Sequence, residues 1–423
     1  MTTQAPRVVI VGGGFGGLAV ARGLKFSPVE VLLIDRNNHH VFQPLLYQVA
    51  TSVLAPGQIA SPLRSLLSNQ TNTSVMLGNV TDVDASAKQV IVDAGDKASQ
   101  RVDYDYLILA TGASHSYFGH DEFAAFAPGL KSLSDAEALR NHILEAFEKA
   151  EAEEDSARQQ ALLTFVMIGA GPTGVEMASA IAVMSRTSLR RDFRRIDPKT
   201  AHIILAEMGA RPLPSFSDKL SEAAKQRLAS LGVDVRLGQA VQTIDNEGVV
   251  IGSERISART VVWTAGVAPS PAGKWLGAAM DRAGRVLIQP NLTVPEHPEI
   301  FVIGDTAALN QDGRPLPGVA QVAIQQGRYT ARSIFRTVIG HSPLPPFRYF
   351  DKGNLAVVGE NFAVLQSGGV QLSGFMAWLV WALIHIQFLA ENSLRISVFL
   401  QWAWTYVSGK RGARLIIRRR TNT

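Results

Sequence analysis

The 423-residue chain contains no cysteine. That absence removes disulfides, thiolate zinc sites, iron–sulfur clusters and every redox mechanism that passes through a thiol. Charge imbalance is also small. Lys and Arg number 41 against 36 Asp and Glu, a net charge of +5, so whole-chain electrostatics select no nucleic-acid partner. The first hydrophobic strand begins by residue 8, so no signal peptide is expected ahead of it. No metal site is expected.

What the chain has in quantity is glycine, 36 residues, in a background that is 46% hydrophobic. A chain of this length holds two or three domains with full cores. Val8-Val9-Ile10-Val11 reads as a buried strand, followed at once by Gly12-Gly13-Gly14-Phe15-Gly16-Gly17. Gly12 permits the tight strand-to-helix turn, Gly14 lets backbone approach a pyrophosphate, and Gly17 lets helix and sheet pack closely. The phosphates would meet the positive end of the following helix. Asp35, with Arg36 beside it, closes the next hydrophobic strand, where a carboxylate binds ribose hydroxyls.

The pattern occurs twice. Phe165-Val166-Met167-Ile168 leads into Gly169-Ala170-Gly171-Pro172-Thr173-Gly174, and the strand Ile203-Ile204-Leu205 ends near Glu207. Two fingerprints imply two dinucleotides, most simply a flavin and a nicotinamide. A carboxylate at Glu207 accepts ribose hydroxyls and repels a 2′-phosphate, favouring NADH, although Arg211 nearby is able to receive that phosphate. Glu176, two residues beyond Gly174, is open to two readings. It either complements the helix dipole or handles protons near a flavin edge.

Between the fingerprints, Arg36 to Gln100 interrupts the first fold. Helix is expected near Leu63, and two strands with an Asp-Ala-Ser turn between Val75 and Val92. Tyr106-Leu107-Ile108-Leu109 then runs into Ala110-Thr111-Gly112, a small-residue turn that lets backbone lie against a flat cofactor. Residues 134–163 read as one long helix, opened by a capping box at Ser134-Asp135-Ala136-Glu137. Val261-Val262-Trp263-Thr264-Ala265-Gly266 closes the second fold as Leu107 to Ala113 closes the first. A strand ending at Gly304-Asp305 returns to the first fold, which is therefore discontinuous. Gln321 and Gln325 fall on one face of a helix beginning near Ala320, a spacing shared by many solvated helices.

Residues 372–390 are almost wholly apolar, near the length of a membrane span. The next segment, 394–407, instead carries Ser397, Gln401 and Thr405 as a polar stripe. Four of the six tryptophans lie between 378 and 404, and Lys410, Arg411, Arg414, Arg418, Arg419 and Arg420 follow. The sum describes a helix pair lying in one leaflet on the cytoplasmic side, pinned by cations. A true span at 372–390 and a hydrophobic homodimer interface are the alternatives.

These motifs, together with Phe42-Gln43-Pro44-Leu45-Leu46-Tyr47 and Tyr349-Phe350-Asp351-Lys352-Gly353, resemble the bacterial type II NADH dehydrogenases (NADH:quinone oxidoreductases) nearly end to end. The resemblance implies an α/β chain with two Rossmann-like domains, the first discontinuous, plus a C-terminal membrane-associating helical segment. Non-covalent FAD is expected in the first fold, NADH in the second and a quinone at the membrane face. It further implies that Val80 offers backbone groups to adenine, that Asp305 holds the ribityl chain, and that Ala320 and Gln321 lie against the flavin ring. Glu176 then handles protons, and Gln321 and Gln325 lie beside the quinone. The expected segments are 1–120 and 286–340 for the FAD domain, 121–285 for the NADH domain, and 341–423 for the anchor region. The enzyme would be a peripheral respiratory-chain protein that pumps no protons, since no series of intramembrane carboxylates exists. Disulfide reductases and sulfide:quinone reductases share the fold but need cysteines. A soluble ferredoxin or rubredoxin reductase, or an NAD-binding redox sensor, remains as the other reading.

Overall fold

The structure is a computed structural model describing residues 5–93, 95 and 99–417. The chain divides into two compact units. The first comprises residues 1–41, 61–114 and 267–351; the second comprises 42–60, 115–266 and 352–423. The discontinuity expected from Gly304-Asp305 is present. Its seams differ from the expected ones: the first unit leaves at 114 and returns at 267, and residues 42–60 go to the second unit. Residues 352–417 fall with the second unit.

In the first unit, Arg7–Val11 lies between Glu30–Asp35 and Tyr106–Leu109 in a parallel sheet. Thr73–Leu77 and His297–Val302 extend it, and the short Thr293–Val294 adds an antiparallel edge. Strand alternation sorts the side chains into two cores. Val8, Ile10 and Leu33 pack on one face with Leu18 of the helix Phe15–Gly23 and Ala331 and Ile334 of the helix Ala320–Val338. Val9, Val11 and Leu32 pack on the other with Val80, Val90 and Val102 from an antiparallel three-stranded layer. Strand order reverses beside Arg7–Val11, so the crevice at its carboxyl end is where such sheets bind ligands.

The second unit repeats the plan. Thr164–Ile168 lies between His202–Glu207 and Thr260–Trp263, all parallel, with Val233–Leu237 beyond. Val166, Ile204 and Val261 pack beneath another antiparallel triplet through Ile244, Val249 and Ile251. Asn354–Val357, Ala363–Ser367 and Val370–Gly374 form a further antiparallel sheet.

The single helix expected over 134–163 is two, Leu133–Ala152 and Ser156–Leu162. Its cap is Ser132 rather than Ser134. Ser132 Oγ accepts the Asp135 N–H, and the Asp135 carboxylate accepts the Ser132 N–H at 2.8 Å. The acidic run ends the first helix because its carboxylates satisfy backbone donors: Glu153 accepts from the N–H groups of Glu154 and Asp155, and Asp155 caps the next helix at Arg158.

The apolar segment 372–390 is also shorter than expected as a helix. Leu372 sits in a strand, Gly374 turns with φ +87°, and the helix runs Phe375–Phe388. Fourteen residues rise about 21 Å, against a hydrocarbon core of about 30 Å. Among the described residues no helix is long and apolar enough to cross a membrane.

Two nucleotide cradles and a buried carboxyl

The two glycine turns share their backbone geometry. Gly12 and Gly169 have φ of +105° and +101°, the left-handed region open to glycine. A Cβ at Gly17 would collide with the Gly12 carbonyl oxygen, as one at Gly174 would with that of Gly169. At Gly14 and Gly171 a Cβ would meet no protein atom within 4 Å. Both turns therefore hold an open space over backbone, at the start of the helices Phe15–Gly23 and Pro172–Arg186. This is the cradle a pyrophosphate requires.

The acids match as well. Asp35 Oδ2 accepts the Gly13 N–H at 2.6 Å and Oδ1 the Asn37 N–H at 2.6 Å. Glu207 Oε2 accepts the Ala170 N–H at 2.7 Å and Oε1 the Gly209 N–H at 2.7 Å. Each carboxylate is thus fixed beside its turn with lone pairs left for ribose hydroxyls. Arg36 is exposed. Arg211 is committed elsewhere, to Asp218 and to the Pro214 carbonyl oxygen.

In the first unit Ala110, Thr111, Gly112 and Asp305 lie at or beside the first turn and the neighbouring strand end. Ala110 approaches Gly12 so closely that only glycine fits there. Thr111 Oγ1 lies 2.5 Å from Ser270 Oγ, and Gly112 accepts from Thr306 Oγ1 at 3.0 Å. Asp305 sits in the turn Gly304–Thr306, its carboxylate 3.3 Å from where a Cβ on Gly318 would stand. Val80 is buried opposite Val92, at a register shift in its strand. Ala320 opens its helix without a side-chain cap. Gln325 is fully engaged: its amide donates to the Phe350 carbonyl and accepts the Phe350 N–H.

Sequence reading missed three supports of these turns. Buried Gln326 accepts the Gly304 N–H at 2.7 Å and holds the strand end against the helix. The buried His40 imidazole faces the Gly13 carbonyl at 2.9 Å. Burial lowers its pKa, so the ring is neutral and Nδ1 carries the donated proton. Phe15 packs edge-on against it, 5.1 Å between ring centres. In the second unit Thr264 Oγ1 reaches the Ile168 and Gly169 carbonyls at 2.8 Å. Gly266, expected from the sequence, lies under the exposed Phe118 ring.

Glu176 lies one turn into Pro172–Arg186. Burial pushes its carboxyl up to about 8, against a smaller opposing effect from the Val357 N–H it accepts. It is therefore largely protonated at neutral pH. Close by, Tyr47 is buried and its hydroxyl is raised well above the usual phenol range, by desolvation first and by Glu176 second. A cavity of about 90 Å³ adjoins Tyr47, walled also by Trp378, Trp381, Trp402, Tyr406 and Arg411.

The helix Phe375–Phe388 is almost wholly apolar, whereas Asn392–Ser408 is amphipathic with its polar stripe turned inward. Ser397 Oγ accepts from Gln58 Nε2 at 2.9 Å, and Gln401 bonds Thr405. Ile396, Phe399, Leu400, Trp404 and Val407 face outward, each more than half exposed. The expected cationic pin is only partly there. Arg411 is 4% exposed and Arg414 pairs with Asp192, because backbone carbonyls and that carboxylate capture them. Arg418, Arg419 and Arg420 lie outside the described residues.

The comparisons with known proteins decide the family. Residues 6–327 match the model of the pyridine nucleotide-disulphide oxidoreductases. The type II NADH:quinone oxidoreductase Ndh of Mycobacterium tuberculosis is 44% identical, over 97% of this chain and 91% of its own. The chain belongs to the type II NADH:quinone oxidoreductases. NdhA, bearing the same description in the same organism, is 42% identical over 96% of this chain and 88% of its own. A structure of NDH2 from Plasmodium falciparum in complex with NADH superposes with a TM-score of 0.88, covering 98% of this chain and all of that one at 20% identity. That likeness is one of fold. The soluble ferredoxin-reductase reading is not favoured.

Proposed function

We infer that this chain oxidises NADH and reduces a membrane quinone, using FAD, as the family to which it belongs does. The observation that carries the reading is the paired cradle: two open glycine turns, each with its own anchored carboxylate, in a chain with no thiol to relay electrons. When bound, FAD supplies two-electron chemistry between nicotinamide and quinone.

The protein's own part is binding, orientation and proton supply. Gly12, Gly14, Gly17, Asp35 and Asp305 suit FAD; Gly169, Gly171, Gly174 and Glu207 suit NADH. The Asp35 and Glu207 carboxylates would receive ribose hydroxyls without moving, since the turns already fix them. Quinone reduction consumes two protons, and Glu176, buried and protonated near pH 7, is placed to supply one. No pumping is assigned to it.

The outward apolar face of Phe375–Phe388 and Asn392–Ser408 supports a peripheral seat on a bilayer, on the cytoplasmic side where NADH is available. The deciding experiment is direct. Purified protein should show a flavin spectrum and oxidise NADH faster when a short-chain quinone is added. Bound flavin with NADH oxidation indifferent to quinone would favour a redox sensor.

A further inference from the structure

Beside Glu176 the second unit holds a directed hydrogen-bond chain that joins Tyr47, the last residue of one motif, to two residues outside the motifs. Trp402, on the helix Asn392–Ser408, bonds Gln48 Oε1 at 2.7 Å. An indole N–H only donates, so the Gln48 amide has one possible orientation. Its Nε2 must then donate to the Tyr47 hydroxyl oxygen, at 3.0 Å. With that oxygen accepting a hydrogen bond from Gln48, Tyr47 keeps its own proton to donate.

The rest of the wall agrees. Trp381 stacks on Trp402 with centroids 5.1 Å apart and holds the indole in place. Tyr47 and Gln48 are each 6% exposed, so bulk water does not compete for these bonds. Tyr47, Gln48, Trp402, Trp381 and Arg411 all line the cavity of about 90 Å³, together with Ser179 and Ala180, about one helical turn from Glu176. Trp381 Nε1 and Arg411 Nε, both buried, have no hydrogen-bond partner. The wall therefore holds two buried N–H donors without acceptors, and buried donors are costly until an acceptor arrives. A molecule with carbonyl oxygens and an apolar body meets that need.

We propose that Tyr47 donates a hydrogen bond to a quinone oxygen in this cavity, and that Gln48 and Trp402 are positioning residues that keep its hydroxyl a donor. The proton is shared and no bond is broken. The inference rests on the quinone-reductase reading given above. It deepens that reading by tying the reduction site to a tryptophan on a C-terminal helix. The charged or titratable groups around Tyr47 are Glu176 and Arg411, with Glu360 facing Arg411.

The test is a double-mutant cycle on the FAD-loaded full chain, with a short-chain quinone and with ferricyanide as acceptors. Tyr47→Phe should lower kcat/KM for the quinone about 3- to 10-fold relative to the ferricyanide rate of the same preparation, chiefly through KM. Trp402→Phe should act in the same direction. The double variant should be no worse than Tyr47→Phe alone, because the indole acts only through the hydroxyl. Multiplying effects, or an unaltered Tyr47→Phe, overturn the proposal. Should Trp402→Phe lose flavin, Gln48→Met interrupts the same chain from its middle. Glu176→Gln is measured alongside. If it leaves quinone turnover intact while the cycle still couples, the proton role of Glu176 falls and the Tyr47 proposal stands. A wild-type enzyme that reduces no quinone overturns both.

Discussion

The guanidinium of Arg411 donates to the carbonyl oxygen of Thr51 at 2.8 Å, joining the end of the chain to a turn 360 residues earlier. A second bond runs to the Ala180 carbonyl at 3.2 Å. Burial depresses this arginine to about 10, so it remains charged at neutral pH and both carbonyls remain satisfied. Arg411→Met should destabilise the protein by about 1–3 kcal/mol, since two buried acceptors lose a charged donor. Urea unfolding of the variant checks it. An unchanged midpoint would mean that the arginine is replaceable by packing alone.

The glycine turns predict two different failures from the same substitution. A Cβ at Gly174 strikes the Gly169 carbonyl, so Gly174→Ala should give poorly folded protein. Gly171→Ala meets nothing within 4 Å and should fold with normal melting behaviour. Its added methyl occupies the space of the pyrophosphate, so KM for NADH should rise by about 10-fold or more. Thermal melting and NADH titration of the two variants separate these outcomes.

Glu207→Gln should reduce the preference for NADH over NADPH. The carboxylate that repels a 2′-phosphate is gone, while Arg211 is already bound to Asp218 and Pro214 and does little to help. A fall of about 10-fold in the ratio of the two kcat/KM values is expected. An unchanged ratio removes Glu207 from the ribose site.

For Glu176 the pKa in the folded state is raised to about 8 from 4.5. Between those values the folded protein holds a proton that the unfolded chain has lost. Stability therefore falls as pH rises from about 4.5 to 8, through this group, and is flat outside the window. Glu176→Gln should be less sensitive to pH across that range. Its quinone turnover should also lack the titration near pH 8 that the wild type shows. Denaturant midpoints and quinone rates at several pH values test both.

Two charges on the outward apolar face should release the protein from lipid. Leu383→Glu with Leu400→Glu replaces side chains about 60% exposed, so the fold is barely affected. Sedimentation with anionic vesicles should drop sharply while NADH-to-ferricyanide activity is kept. Persistent sedimentation would place the membrane contact elsewhere.

Much of this site was legible in residues alone because it is built from local backbone requirements. Gly12, Gly14, Gly17 and their counterparts sit at fixed spacing from a strand, and Asp35 and Glu207 each end the next one. The fold class and the cofactor pair follow from that repetition. The absence of cysteine excluded thiol chemistry outright.

Tertiary structure decided what depends on partners far away in the chain. Charge and position left Glu176 open between a dipole role and a proton role, and its burial beside Val357 and Tyr47 raised its carboxyl. Arg411 and Arg414 looked like a lipid-binding cluster until Thr51, Ala180 and Asp192 were found to hold them. The stripe Ser397-Gln401-Thr405 was visible as a pattern, but only packing on Gln58 shows that it faces the protein and leaves the apolar side outward. The Trp402–Gln48–Tyr47 chain has no spacing signature at all, since a hydrogen bond over 354 residues is made by the fold and not by the sequence around either end.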